Sequence, residues 1–108
     1  MAEINYDDFA KLQLRVGQIT QAEKVEDSNR LLRLQVDFGD ENRQVISGIA
    51  KYYSTEELLN KKLVFVTNLA VRKIMGLESQ AMILAADVGG SAVCLQPDKD
   101  VPAGTIIR

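Results

Sequence analysis

The chain contains no histidine and no tryptophan, and only one cysteine and two prolines in 108 residues. Without histidine a Ser-His-Asp type of triad is excluded, and with Cys94 alone an internal disulfide and a Cys/His zinc site are excluded too. No apolar run reaches the ~18 to 20 residues that span a bilayer. The start, Met1 to Asp8, has neither the basic segment nor the apolar stretch of a secretory leader. The expectation is a cytoplasmic chain that meets no membrane. Carboxylate pairs remain, Asp7 with Asp8, Glu56 with Glu57 and Asp98 with Asp100, but a helix start or a turn accounts for each of them. The chain therefore reads as non-enzymatic, with no cofactor and no metal. Cys94 sits in the apolar run Ala92-Val93-Cys94-Leu95, where a lone cysteine is a small buried hydrophobe with no neighbouring base or cation to lower its pKa.

What is present describes one folded unit. Roughly 100 to 200 residues make a domain, so residues 1–108 are read as a single one. Hydrophobic residues at 46% and charged residues at 26% exclude a disordered chain. The net charge of −2 is unevenly spread. Residues 30–76 hold eight cations (Arg30, Arg33, Arg43, Lys51, Lys61, Lys62, Arg72, Lys73) against five acids, whereas both flanks are acidic. Phosphate responds to local potential within about a Debye length, ~8 to 10 Å, so a basic face on an acidic chain suits an anionic polymer.

Strand patterns dominate. Asn5 or Asp7 caps a short helix reaching Phe9 and Leu12. A first strand over about Leu14–Val25 changes the parity of its alternation near Gly17, the mark of a bulged, bent strand. A second strand places Leu32, Leu34, Val36 and Phe38 on one face and Arg33, Gln35 and Asp37 on the other. Gly39-Asp40-Glu41-Asn42 turns the chain into a third strand over 43–50. Ser54-Thr55-Glu56-Glu57 has capping-box spacing and predicts a helix over 55–60 with Leu58 and Leu59 as its apolar contacts. Runs over 62–69 and 81–86 are apolar on both faces, which predicts a cover from the tail or from a second copy. A last short strand is expected at Thr105-Ile106-Ile107. Five strands, a bent first one and a helix between the third and fourth predict an all-β, five-stranded oligonucleotide/oligosaccharide-binding (OB-fold) barrel with an N-terminal helix and a C-terminal extension. Such barrels bind oligomers on the face of strands two and three, here Arg33, Gln35 and Arg43.

The link between the fourth and fifth strands carries the sharpest signal. Asn68 to Met82 sets Arg72 beside Lys73 and adds Gly76, Ser79 and Gln80, more charge than a plain turn needs. Lys51, Arg72, Lys73 and Arg33 are the expected phosphate contacts. Ser47, Asn68, Ser79 and Gln80 are the expected partners of ribose hydroxyls or backbone oxygens.

Three segments in this order, Asp8-Phe9-Ala10-Lys11-Leu12 with Leu14-Arg15-Val16-Gly17, Ser47-Gly48-Ile49-Ala50-Lys51-Tyr52-Tyr53, and Asn68 to Met82, resemble the bacterial and archaeal tRNA-binding domain. That family includes free-standing tRNA-binding proteins and the C-terminal appendage or beta subunit of methionyl-tRNA synthetase. The resemblance implies tRNA as partner, a homodimer formed by the terminal segments, recognition of shape and backbone, and possible association with that synthetase. It places Ser47, Lys51, Asn68, Arg72, Lys73, Ser79 and Met82 on the family pattern, with Gly76 supplying the turn. A related secretion-chaperone branch, a protein-binding OB-fold dimer, differs in the Ser-Gly-Ile-Ala region. Structural readings stand beside these roles: Ser47 as a satisfier of backbone, Met82 as core, Asn68 as a cap, and Tyr52 with Tyr53 either as stacking platforms or as a hydrophobic staple.

Overall fold

The cleanest alternation in the sequence becomes the centre of the core. In a computed structural model describing residues 1–108, β2 (Leu32–Asp37) buries Leu32, Leu34 and Val36 completely and turns Arg33, Gln35 and Asp37 outward. It lies between β1 (Leu14–Lys24) and β3 (Asn42–Ser47), and β4 (Lys62–Val66) flanks β1 on the other side. The link then forms β5 (Arg72–Ile74) and β6 (Leu77–Ser79), followed by β7 (Met82–Ile83), β8 (Ala85–Val88), β9 (Ser91–Cys94) and β10 (Ile106–Ile107). The main sheet runs β3-β2-β1-β4-β7, all antiparallel, with β10 also on β1. It curls into the five-stranded, OB-type half-barrel that the sequence predicts.

β1 makes the curl possible. Its first half, Leu14 to Gln18, pairs with β4, and its second half, Gln18 to Lys24, pairs with β2. One strand thus serves both walls. The bulge lies at Thr20, where the register with β2 shifts between Ile19 and Gln21, and not at Gly17 as the parity change predicted. Gly17 instead pairs regularly with Leu63. Its missing side chain admits the core, since a Cβ there would stand 2.5 Å from Val36 Cγ1 and 2.6 Å from Phe38 Cε1. Parity in a sequence records that a strand slips, but it does not tell a bulged residue from a closely approached glycine.

Other expectations change at their ends. The fourth strand stops at Val66 because Thr67 turns its N–H and hydroxyl to the Gln13 carbonyl, at 2.8 and 3.1 Å. The fifth predicted strand is broken at Leu84, whose N–H donates to Val64 and whose carbonyl accepts from Leu95. Beyond it β8 leaves the barrel and pairs only with β9, which leaves Val88 and Val93 exposed. Helix α1 (Tyr6–Ala10) is capped by Asn5, but it buries none of its residues in this chain. Helix α2 (Thr55–Leu58) has both hydrogen bonds of the capping box and is shorter than predicted. It buries Leu58 fully and leaves Leu59 exposed, because four residues present only one apolar position to the barrel. No helix is long and apolar enough to cross a membrane.

Gly17→Val should destabilise the fold by about 1 to 3 kcal/mol through overpacking against Val36 and Phe38. Urea denaturation checks this, with a lower midpoint at unchanged slope as the expected result.

Candidate nucleic-acid interface

The link from Asn68 to Met82 is a β-ribbon. β5 and β6 pair as Arg72↔Ser79, Lys73↔Glu78 and Ile74↔Leu77, joined by the two-residue turn Met75-Gly76. Both turn residues have positive φ, 51° and 79°, as a type I′ hairpin turn requires. Glycine adopts that conformation freely at the second position, and Met75 carries the strain of it at the first.

The root of this ribbon closes the barrel. Gln80 N–H donates to Gln44 O at 2.8 Å, and Gln44 N–H donates to Gln80 Oε1 at 2.8 Å. The Gln44 amide reaches Glu78 O at 2.9 Å, while Ile46 N–H donates to Ser79 Oγ at 3.0 Å. Ser79 Oγ in turn donates to Ala81 O at 3.0 Å. Side chains of the link therefore satisfy the open edge of β3. The ribbon also packs on β3, leaving Ile46 only 5% exposed beside Ile74 and Ser79.

Pairing in a strand separates the two neighbouring cations, since successive side chains point to opposite faces. Arg72 shares the inner face with Ile74 and lies with Leu69, Ser79 and Met82 around a cavity of about 30 Å³. Lys73 stands on the outer face opposite Glu78. Both are exposed, and neither belongs to an ion pair. Several other cations of the basic segment are neutralised. Arg33 pairs with Glu23, Arg43 with Glu41, and Lys62 with Asp100 at 2.8 Å.

The remaining candidates divide between surface and framework. Arg43 pins the barrel by donating to Thr67 O at 2.5 Å and to Gln80 O at 3.2 Å, and it stands over Phe38. Hydrogen bonds from Arg43, and its charge with that of Arg15, hold the Glu41 carboxyl below the usual range. Gln35 donates to Gln44. Asn68 accepts from Gln13 N–H at 2.9 Å and donates to Lys11 O at 2.6 Å. Ser79 is buried, Gln80 is half-buried, and Ser47 is 9% exposed opposite Leu32. Met82 is 39% exposed, at the surface and not in the core. Lys51 is exposed in a separate groove with Lys24, Tyr52 and Tyr53. The tyrosine hydroxyls are committed to the β8–β9 hairpin, Tyr52 donating to Gly90 O and Tyr53 accepting from Cys94 N–H. Burial raises the pKa of the Cys94 thiol.

Arg30 escaped the sequence-based site. It is exposed and free of ion pairs, and its guanidinium lies over Gly48, where a Cβ would come within 3.3 Å. Its one signal was the charge of the middle segment, because 18 residues separate it from Gly48.

Residues 14–106 match the family described as "Putative tRNA binding domain". The chain belongs to the tRNA-binding domain family. It is 53% identical over 105 residues to a methionine–tRNA ligase of Methanothrix thermoacetophila, covering 97% of this chain and 16% of that protein. The corresponding ligase of Caldanaerobacter subterraneus subsp. tengcongensis is 50% identical, covering 96% of this chain and 16% of the ligase. The chain thus spans about a sixth of the length of these relatives. Among solved structures, a methionyl-tRNA synthetase related protein from Pyrococcus horikoshii superposes with a TM-score of 0.95 at 38% identity, each chain fully covered. The chaperone CsaA of Bacillus anthracis superposes with a TM-score of 0.89 at 34% identity, over 99% of this chain and 100% of that one.

Ser79→Ala should cost about 1 to 3 kcal/mol, because it strands the buried Ile46 N–H. Chemical denaturation, together with faster amide exchange at Ile46, checks this.

Proposed function

We propose that this chain binds tRNA without catalysing a reaction, mainly through the sugar-phosphate backbone. The observation that carries the reading is the ribbon, which holds Arg72 and Lys73 exposed on opposite faces and outside the ion pairs of the fold, with Glu78 across the ribbon from Lys73. Cations already paired bring little net potential, so the free ones dominate the field that phosphate meets. Arg30 and Lys51 extend this free set, and Arg33 joins it by exchanging Glu23 for a phosphate. Ser47 and the Gln80 amide hydrogens serve the ribose side, while the hydroxyl of Ser79 is committed within the barrel. Family membership supports tRNA as the ligand, and the methionine–tRNA ligase relatives support a role as an appendage or partner of that synthetase. There the module would raise tRNA affinity through effective concentration.

A second copy belongs to this reading. The exposed Phe9, Leu12 and Ile106 border a groove of about 630 Å³ formed by both terminal segments, and a dimer covering it would double the phosphate contacts. Exposed Val88, Val93 and Leu95, with the likeness to CsaA, favour a protein-binding chaperone as the second reading.

Arg72→Ala with Lys73→Ala should weaken tRNA binding at least tenfold and lower the slope of log K against log salt by about 2. Filter binding across a salt series checks it, and an unchanged slope removes the ribbon from the site. Failure of the unaltered chain to bind tRNA at low salt, with capture of unfolded peptide, would favour the chaperone reading. Sedimentation at micromolar concentration should show twice the 12.0 kDa of one chain, and a species of 12.0 kDa alone would end the dimer proposal.

A further inference from the structure

Helix α1 is five residues long, and isolated helices under ~12 to 15 residues are marginal in water. It buries none of its residues, so its order depends on its ends. One end is capped locally: Asn5 Oδ1 accepts from Asp8 N–H at 2.9 Å. The other end leaves carbonyls that the helix itself does not satisfy. Lys11, the C-cap residue, has its carbonyl bonded by Asn68 Nδ2 at 2.6 Å, across 57 residues of sequence. The same side chain accepts from Gln13 N–H at 2.9 Å through Oδ1. Thr67, next in the chain, adds two bonds to the Gln13 carbonyl, and its own carbonyl is held by Arg43.

We infer that Asn68 is a positioning residue that caps α1 from the root of the ribbon, tying the order of the N-terminal helix to the RNA-binding link. Both polar ends of its amide engage the Lys11–Gln13 backbone, with one bond each. The latch gives Asn68 a route to RNA through α1, beside the one Nδ2 hydrogen that stays free. The two surfaces treated above become one device: the groove beside α1, lined by Phe9 and Leu12, and the ribbon that begins four residues after Asn68. Aspartate at this position keeps the acceptor for Gln13 but faces the Lys11 carbonyl with a second oxygen, so it breaks half of the latch. The inference rests on the proposed tRNA binding.

A double-mutant cycle on tRNA affinity tests it, using Asn5→Ala to loosen α1 from the end remote from the ribbon. Asn68→Ala should weaken tRNA binding about fivefold, and Asn68→Asp should do the same despite nearly unchanged size. Asn5→Ala should weaken binding about threefold in the parent chain and leave it unchanged in the Asn68→Ala background. Amide exchange in the unbound protein should show Gln13 and the α1 amides losing protection in Asn68→Ala. Independent, multiplying effects of the two substitutions, or full protection of α1 in Asn68→Ala, would overturn the latch and return Asn68 to direct contact. Should Arg72→Ala with Lys73→Ala leave affinity unchanged, the proposed RNA site itself fails, a result distinct from either outcome of the cycle.

Discussion

The open edge of β3 is the constraint around which this molecule is organised. A curled sheet of five strands leaves its last strand with unpaired N–H and C=O groups, and an unsatisfied buried group costs about 1 to 3 kcal/mol. Here the segment Glu78–Gln80 meets that edge, partly with backbone and partly with the Gln80 carbonyl and the Ser79 hydroxyl. Because this segment is also the second arm of the ribbon, closing the barrel fixes where Arg72 and Lys73 stand. A side chain that looks like a ligand in sequence thus earns its place as a structural acceptor.

The same closure explains how an acidic chain offers a basic face. Pairing with Glu23, Glu41 and Asp100 removes Arg33, Arg43 and Lys62 from the free field, and Arg15 is held by Asp40 and Glu41. Arg30, Lys51, Arg72 and Lys73 stay exposed outside these ion pairs, with Glu78 across the ribbon from Lys73. The positive potential depends on which cations the fold leaves unpaired more than on how many the chain contains.

Helix α1 and the start of the ribbon are joined through the Asn68 amide and through the N–H and hydroxyl of Thr67. Asn68 and Thr67 hold the Lys11–Gln13 backbone, and Arg43 holds Thr67 from the barrel side. Three side chains, those of Arg43, Thr67 and Asn68, thereby fix how α1, β1 and the start of the ribbon meet. The arrangement is rigid because each group has a backbone partner and none depends on a long flexible side chain alone, apart from Arg43, which is itself held by three acceptors and stacked over Phe38.

Local chemistry made much of this legible in the residues. Alternation in Leu32–Asp37, capping by Asn5 and Ser54, and the sheet-then-helix order follow from periodicity and short-range hydrogen bonding, which act within a few residues. The link from Asn68 to Met82 also stood out by its charge. Tertiary structure decided what proximity alone determines. It placed the bulge at Thr20 and the close approach at Gly17, gave Ser79 to the barrel, and set Arg30 over Gly48. It also sent Arg72 and Lys73 to opposite faces, because a pleated ribbon separates neighbours that a sequence reads as a pair. Hydrogen-bond partners 33 to 57 residues apart leave no trace in local pattern, and so the division of the candidate site between framework and surface became visible only in the folded chain.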